Sequence, residues 1–223
     1  MGIMKIFKVT RMVLFLFCVS YYTHATHKVD QRVMFVGDSH SVGPFGQHLD
    51  FLLRKQGYLV YTAASCGSTL KHWLTGKNTT CGFFSKNIKG QVVEYKKGPT
   101  PLLKNIFNEV KPNILLIEMG ANYQYYTSER QIQEEIQNVL KVYVPMVDRC
   151  IWVTHPDSRK YPEQRLKLAQ LINETVAPFC EVFHSYEVTQ YPSSGGDGVH
   201  YSFGAAIPIA KNWAKLVFER FFN

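Results

Sequence analysis

Acidic residues are few and unevenly placed. The 223-residue chain holds 17 Asp and Glu against 25 Lys and Arg, a formal charge of +8. The first 25 positions contain no acid at all, and three of the basic residues (Lys5, Lys8 and Arg11) fall there. Beyond them the basic excess is only +5. No basic cluster or base-stacking motif accompanies it, which argues against nucleic acid as a partner. Apolar runs long enough to span a bilayer are missing as well. So are internal repeats, low-complexity tracts and any sign of a second domain. No pair of cysteines has the C-x-x-C spacing of a metal site. What is present is an ordinary globular composition, 46% apolar and 14% aromatic. That excludes global disorder and leaves enough chain for one domain with its own core.

The amino-terminal 25 residues follow the three-part pattern of an export signal. The positive residues come first. Residues 12–19 (MVLFLFCV) form an apolar run of eight, and Ala25 ends a segment with small residues at the −3 and −1 positions. The expected organisation is a signal peptide over 1–25 and one domain over 26–223. The mature protein is then periplasmic or secreted and has no membrane span. Four cysteines follow the leader: Cys66, Cys81, Cys150 and Cys180. An even count in an exported chain suggests two disulfides, the alternative being four reduced, buried thiols.

Beyond the leader, short apolar runs alternate with segments of helical period. Runs at 31–37, 58–63, 113–119, 150–154 and 180–184 read as five strands. Residues 41–56, 101–110, 128–144, 162–176 and 205–222 read as helices, with Ser128 able to cap the third. Residues 65–98 show no sustained period and read as a long loop or lid. Apolar strands that each lead into a helix argue for a five-stranded parallel sheet covered on both faces. Cys150 and Cys180 then begin neighbouring strands within bridging range, which favours the pairs Cys150–Cys180 and Cys66–Cys81 among the three pairings allowed.

Ligand sites in such sheets lie beyond the carboxyl ends of the strands. The first strand ends in Gly37-Asp38-Ser39, which presents a hydroxyl on a tight turn beside the amides of a helix start. Serine needs a base, and the base needs a carboxylate to orient it. Asp197-x-x-His200, on a glycine-rich loop between the last strand and the last helix, can supply both. Asn122 after the third strand and Gly67 after the second are candidate donors to an oxyanion.

These four ordered blocks resemble the SGNH hydrolases, the GDSL-type esterase superfamily, over most of the mature chain. The resemblance implies a three-layer flavodoxin-like α/β fold and a Ser39–His200–Asp197 triad. It also implies an oxyanion hole made of the Ser39 amide, the Gly67 amide and the Asn122 side chain, with no metal or cofactor needed. Two positions depart from the common pattern. His40 stands where many members have Leu, and Tyr123 where many have Asp.

The expected activity is ester hydrolysis on a small ester or an O-acylated glycan. An O-acetylesterase acting on cell-envelope or extracellular carbohydrate is favoured, because Trp73, Phe83, Phe84, Tyr95, Tyr123, Tyr125 and Tyr126 cluster near the expected site and aromatic faces suit sugar rings. His40, Tyr123 and His155 are the candidates for the substrate cleft. An O-acetyltransferase, a lysophospholipase or thioesterase with the same triad, and a non-enzymatic glycan-binding module are the alternatives. Two matches to the N-glycosylation sequon, at Asn78 and Asn173, receive no function.

Overall fold

A computed structural model describes residues 31–126 and 128–223. The expected signal peptide, 1–25, lies outside them. The chain runs through β1 (Arg32–Gly37), α1 (Ser39–Val42), α2 (Pro44–Lys55), β2 (Leu59–Ser65) and α3 (Leu70–Thr75). Four short strands follow: β3 (Asn78–Thr79), β4 (Phe83–Lys86), β5 (Val92–Tyr95) and β6 (Gly98–Pro99). Then come α4 (Leu103–Val110), β7 (Ile114–Glu118), α5 (Glu129–Tyr143), β8 (Arg149–Val153) and α6 (Pro162–Val176). The chain closes with β9 (Glu181–Phe183), α7 (Ser185–Val188) and α8 (Ala206–Phe221).

The main sheet has seven strands, not five, in the order β5-β4-β2-β1-β7-β8-β9. The five expected strands are its parallel part. The two extra strands come from the segment read as a loop. β4 pairs antiparallel with β2, and β5 with β4. Each has only four residues, too few for an alternating pattern to stand out. Asn87 folds the turn between them, its side chain accepting from the Lys89 and Gln91 amides at 3.0 Å each. The hairpin is tied to the body by Asp50, a buried carboxylate on α2. Asp50 pairs with Arg54 at 2.9 Å and with Lys86 of β4 at 2.8 Å, and accepts from Thr62 at 2.7 Å. This leaves β5 as one rim of the sheet and β9 as the other.

Successive strand residues face opposite layers. Met34 and Val36 of β1 pack with Ile106, Ile136 and Ile172 in one core, while Val33 and Phe35 pack with Leu49, Trp213 and Val217 in the other. Helices α4, α5 and α6 thus cover one face, and α2 and α8 the other. The single helix expected over 41–56 is two. Pro44 disfavours the helical conformation at the residue before it, and Gly43 is accordingly extended at φ −86°, ψ −164°. The disulfides are Cys66–Cys81, with Cα atoms 5.4 Å apart, and Cys150–Cys180, at 4.6 Å.

β1 is central. From it the chain passes to β2 on one side and returns to β7 on the other, with Gly37 in register with both Ala64 and Glu118. Strand order therefore reverses at the carboxyl end of β1, where a crevice must open.

Candidate active site

Ser39 opens α1 directly beyond that end. The turn that holds it leaves no room for a side chain at position 37, where a Cβ would fall 2.1 Å from Ser41 Oγ. The Ser41 hydroxyl donates to Glu118 Oε2 at 2.6 Å, and the Asp38 amide donates to the Glu118 carbonyl at 3.1 Å. Asp38 caps α1 by accepting from the His40 amide at 3.0 Å. Both carboxyls are buried. Burial, and then the charge of Asp38, pushes the Glu118 carboxyl well above the usual range. Asp38 is also raised by burial, to about 6. The His40 amide, together with the nearby His200 ring and the Arg165 guanidinium, opposes that rise.

The glycine-rich loop before α8 brings His200 over Ser39. His200 Nε2 lies 3.0 Å from Ser39 Oγ, and Nδ1 lies 2.6 Å from Asp197 Oδ2. The other Asp197 oxygen accepts from the amides of Val199 at 2.9 Å and His200 at 2.8 Å. Burial works against the Asp197 charge. The bonds from the His200 ring and from these two amides outweigh it and hold the carboxyl below the ordinary carboxylate range. Three residues separated by up to 161 positions thus form one hydrogen-bonded series.

Asn122 borders one cavity with Ser39, Asp197 and His200, and shares another with Gly67. Asn122 sits in a 3-10 turn, and its Nδ2 donates to Asp38 Oδ2 at 3.3 Å and to the Ser68 carbonyl at 3.0 Å. Gly67 adopts φ +77° next to the Cys66–Cys81 bridge. Both border a cavity of about 710 Å³. Two other cavities reach Ser39. One, of about 40 Å³, lies among His40, Phe45, His200 and Tyr201. The other, of about 300 Å³, is bounded by Asn122, Tyr125, Lys160, Arg165 and His200.

Of the three residues expected in the substrate cleft, only His40 borders a cavity that reaches Ser39. Its ring centre is 5.5 Å from that of His200. Burial, with His200 and Arg165 adding to it, keeps His40 far below its ordinary pKa and hence neutral. Tyr123 is a correction. It is buried, its hydroxyl accepting from the Leu70 amide at 3.3 Å and donating to Glu135 at 3.0 Å, so it ties α3 to α5. His155 is a second correction. It is fully buried, with Nε2 3.1 Å from the Arg165 carbonyl, and it packs so close to Gly120 that a Cβ there would lie 2.7 Å from its ring. Gly120 meets this with φ +156°, a backbone conformation that side chains disfavour. Trp73, Phe83 and Phe84 are likewise core residues, whereas Tyr125 is exposed.

Arg165 and Glu118 escaped the sequence reading. Arg165 falls on one helical face with Leu168, Ala169, Ile172 and Val176, all buried, so its spacing was the available signal. Leu166, off that face, is exposed. Among the described residues, no group of three His, Cys, Asp or Glu side chains is placed to hold a metal ion.

No family model and no curated protein sequence matches the chain. Solved structures do. TesA superposes with a TM-score of 0.59 at 17% identity, over 85% of this chain and 99% of that one. A catalytic mutant of Axe2, an acetylxylan esterase from Geobacillus stearothermophilus, gives a TM-score of 0.58 at 14% identity, over 87% of this chain and 95% of that one. A GDSL-like lipase from Bacteroides thetaiotaomicron gives 0.52 at 15% identity, over 85% and 88%. At these identities the likeness is one of fold. The protein has the SGNH, or GDSL-type, hydrolase fold, with a serine, a histidine and an aspartate hydrogen-bonded in series beyond its central strand.

Proposed function

We propose that the protein is a serine ester hydrolase that removes acetyl groups from extracellular or cell-envelope carbohydrate. The observation that carries this reading is the series Ser39–His200–Asp197, with contacts of 3.0 and 2.6 Å. Neutral His200 takes the Ser39 proton as the hydroxyl oxygen attacks the ester carbonyl. Asp197 keeps the proton on Nδ1 and favours the imidazolium. The amides of Ser39 and Gly67 and the side chain of Asn122 are the donors for the tetrahedral oxyanion. His200 then protonates the leaving alcohol oxygen, and a water molecule repeats the cycle to release acetate.

Cavity sizes support acetyl as the acyl group. The cavity beside Ser39 and His40, about 40 Å³, is much smaller than the other cavity that reaches the serine, about 300 Å³, which suits a short acyl group. The two larger cavities both reach Asn122 and Tyr125, which suits an extended alcohol such as a glycan. The two disulfides favour an oxidising compartment, in keeping with export. Among the described residues no helix is long and apolar enough to cross a membrane.

The test is turnover of p-nitrophenyl esters beside acetate release from O-acetylated glycans. Acetyl ester should be hydrolysed faster than butyryl or octanoyl ester, and Ser39→Ala should abolish turnover with an unchanged circular dichroism spectrum. Full activity in Ser39→Ala discards the mechanism. Rates rising with acyl length favour a lipase or thioesterase, and acetyl transfer to an added glycan favours a transferase.

A further inference from the structure

Arg165 is the least accounted-for charge in the described residues. Its side chain is 1% exposed. One nitrogen, Nη2, donates to Gln124 at 3.3 Å, whereas Nε and Nη1 have no hydrogen-bond partner. Among the described residues no ion pair includes it. A buried guanidinium without a counter-charge is costly, because its five donors lose water and gain little in return. The carboxylates that act on it through space are Asp38, Asp157 and Asp197. Each is bound elsewhere: Asp38 by the His40 amide and Asn122, Asp157 by the Tyr191 amide, and Asp197 by His200.

Arg165 borders the cavity of about 300 Å³ that also reaches Ser39 and His200. Lys160 borders it too and is in no ion pair among the described residues. The acidic side chain bordering the cavity is Asp197, already committed to His200. The cavity therefore carries uncompensated positive charge. Tyr125 and Tyr161, 77% and 64% exposed, border it as well. Tyr161 holds a left-handed backbone, φ +56°, which costs a residue with a side chain about 1 kcal/mol or more. An exposed aromatic kept in a strained conformation beside a nucleophile points to a ligand.

We propose that this cavity is a subsite for a sugar bearing an anionic substituent, so that the preferred substrate is an O-acetylated acidic glycan. The anionic group sits against Arg165 and Lys160, and the sugar ring lies between Tyr125 and Tyr161. This deepens the esterase reading and rests on it for turnover, though not for binding.

The test compares acetyl release from an O-acetylated oligogalacturonide with release from the same material after carboxyl reduction. Charge-assisted hydrogen bonds predict a kcat/KM for the acidic form at least about tenfold higher, expressed mainly in KM and shrinking as salt is raised. Arg165→Gln should bring the ratio close to one. Lys160→Gln, at an exposed position, should lower it about threefold, which keeps the proposal testable if Arg165→Gln does not fold. Inhibition by unacetylated oligogalacturonide and by a sulfated neutral oligosaccharide tells carboxylate from sulfate. Equal kcat/KM for the acidic and reduced forms, with p-nitrophenyl acetate turnover intact, overturns the subsite and spares the esterase reading. Should no ester be turned over, calorimetry of Ser39→Ala with oligogalacturonide and its reduced form decides the subsite alone: tighter binding of the acidic form supports it, and equal binding overturns it.

Discussion

Asn122 Nδ2 lies 3.3 Å from Asp38 Oδ2, so the residue that caps the helix of Ser39 also aims the candidate oxyanion donor. Asp38→Asn separates these two tasks. Asparagine caps a helix as well as aspartate, so folding should survive. With the amide oxygen kept on the His40 amide, the new NH2 group faces the Asn122 NH2 group, and the donor loses its guide. We expect kcat for p-nitrophenyl acetate to fall about 10- to 100-fold with KM little changed, somewhat less than deleting a donor outright. An unchanged kcat means that Asn122 is aimed by Ser68 alone.

Asp197→Asn addresses the histidine. The 2.6 Å contact to Nδ1 holds one tautomer, and an amide there stabilises the wrong one. A loss in kcat of about 10⁴-fold is expected, by analogy with other serine triads, and steady-state kinetics measures it directly. The charge of Asp197 also favours folding, because its carboxyl is held below the ordinary value of 3.8. That contribution is fully present above pH 4 and disappears as pH falls through the folded-state value.

His155 and Asp38 give stability opposite slopes with pH. Burial, aided by Arg165, lowers His155 from 6.5 to about 4. The unfolded chain therefore binds the extra proton in that window, and stability drops as pH falls from 6.5 to 4. Asp38, raised from 3.8 to about 6, has the reverse effect: stability drops as pH rises across nearly the same range. His155→Gln keeps a donor for the Arg165 carbonyl and removes only the first effect. Urea denaturation at pH 7 and pH 4 should show the gap between wild type and variant changing by up to about 3 kcal/mol in the variant's favour at acid pH. A gap that stays constant with pH would falsify the assignment.

The two disulfides should separate stability from catalysis. Cys66–Cys81 joins residues 15 apart and Cys150–Cys180 residues 30 apart. In the chain-entropy account each contributes about 3 to 4 kcal/mol. Replacing both cysteines of either pair by serine should lower stability by up to that amount in urea titrations. Only the first pair adjoins Gly67, so only the Cys66→Ser, Cys81→Ser double variant should also lower kcat.

Local signals that agree with the fold were readable in the chain. The parallel strands are continuous apolar runs because both faces are covered, and the turn that carries Ser39 announces itself through Gly37-Asp38-Ser39 directly after one of them. The helix break at Gly43 was equally local, yet the apolar spacing of Leu49, Leu52 and Leu53 hid the meaning of Pro44. The β4–β5 hairpin was not readable. Its strands are too short for a pattern, and much of what holds it is Asp50, distant in sequence from Lys86. Tyr123 and His155 were misplaced for a related reason. Both follow strand ends, where sites collect, but their side chains turn into the core, and burial is decided by the helices that pack over them. Arg165 has only its helical spacing with Leu168 and Ile172 to mark it as buried.

The hairpin has one more effect, on how copies of the protein meet. Val92 and Val93 of β5 are 51% and 55% exposed on an outer strand, the kind of unpaired ribbon that invites edge-to-edge association. Lys89 precedes this strand, and Lys96 and Lys97 follow it, all solvent-facing. At the opposite margin β9 offers only three residues. Lysine repulsion at one border and brevity at the other keep the sheet from being extended by a neighbouring molecule, so neutralising those lysines should make the protein aggregate before it loses its fold.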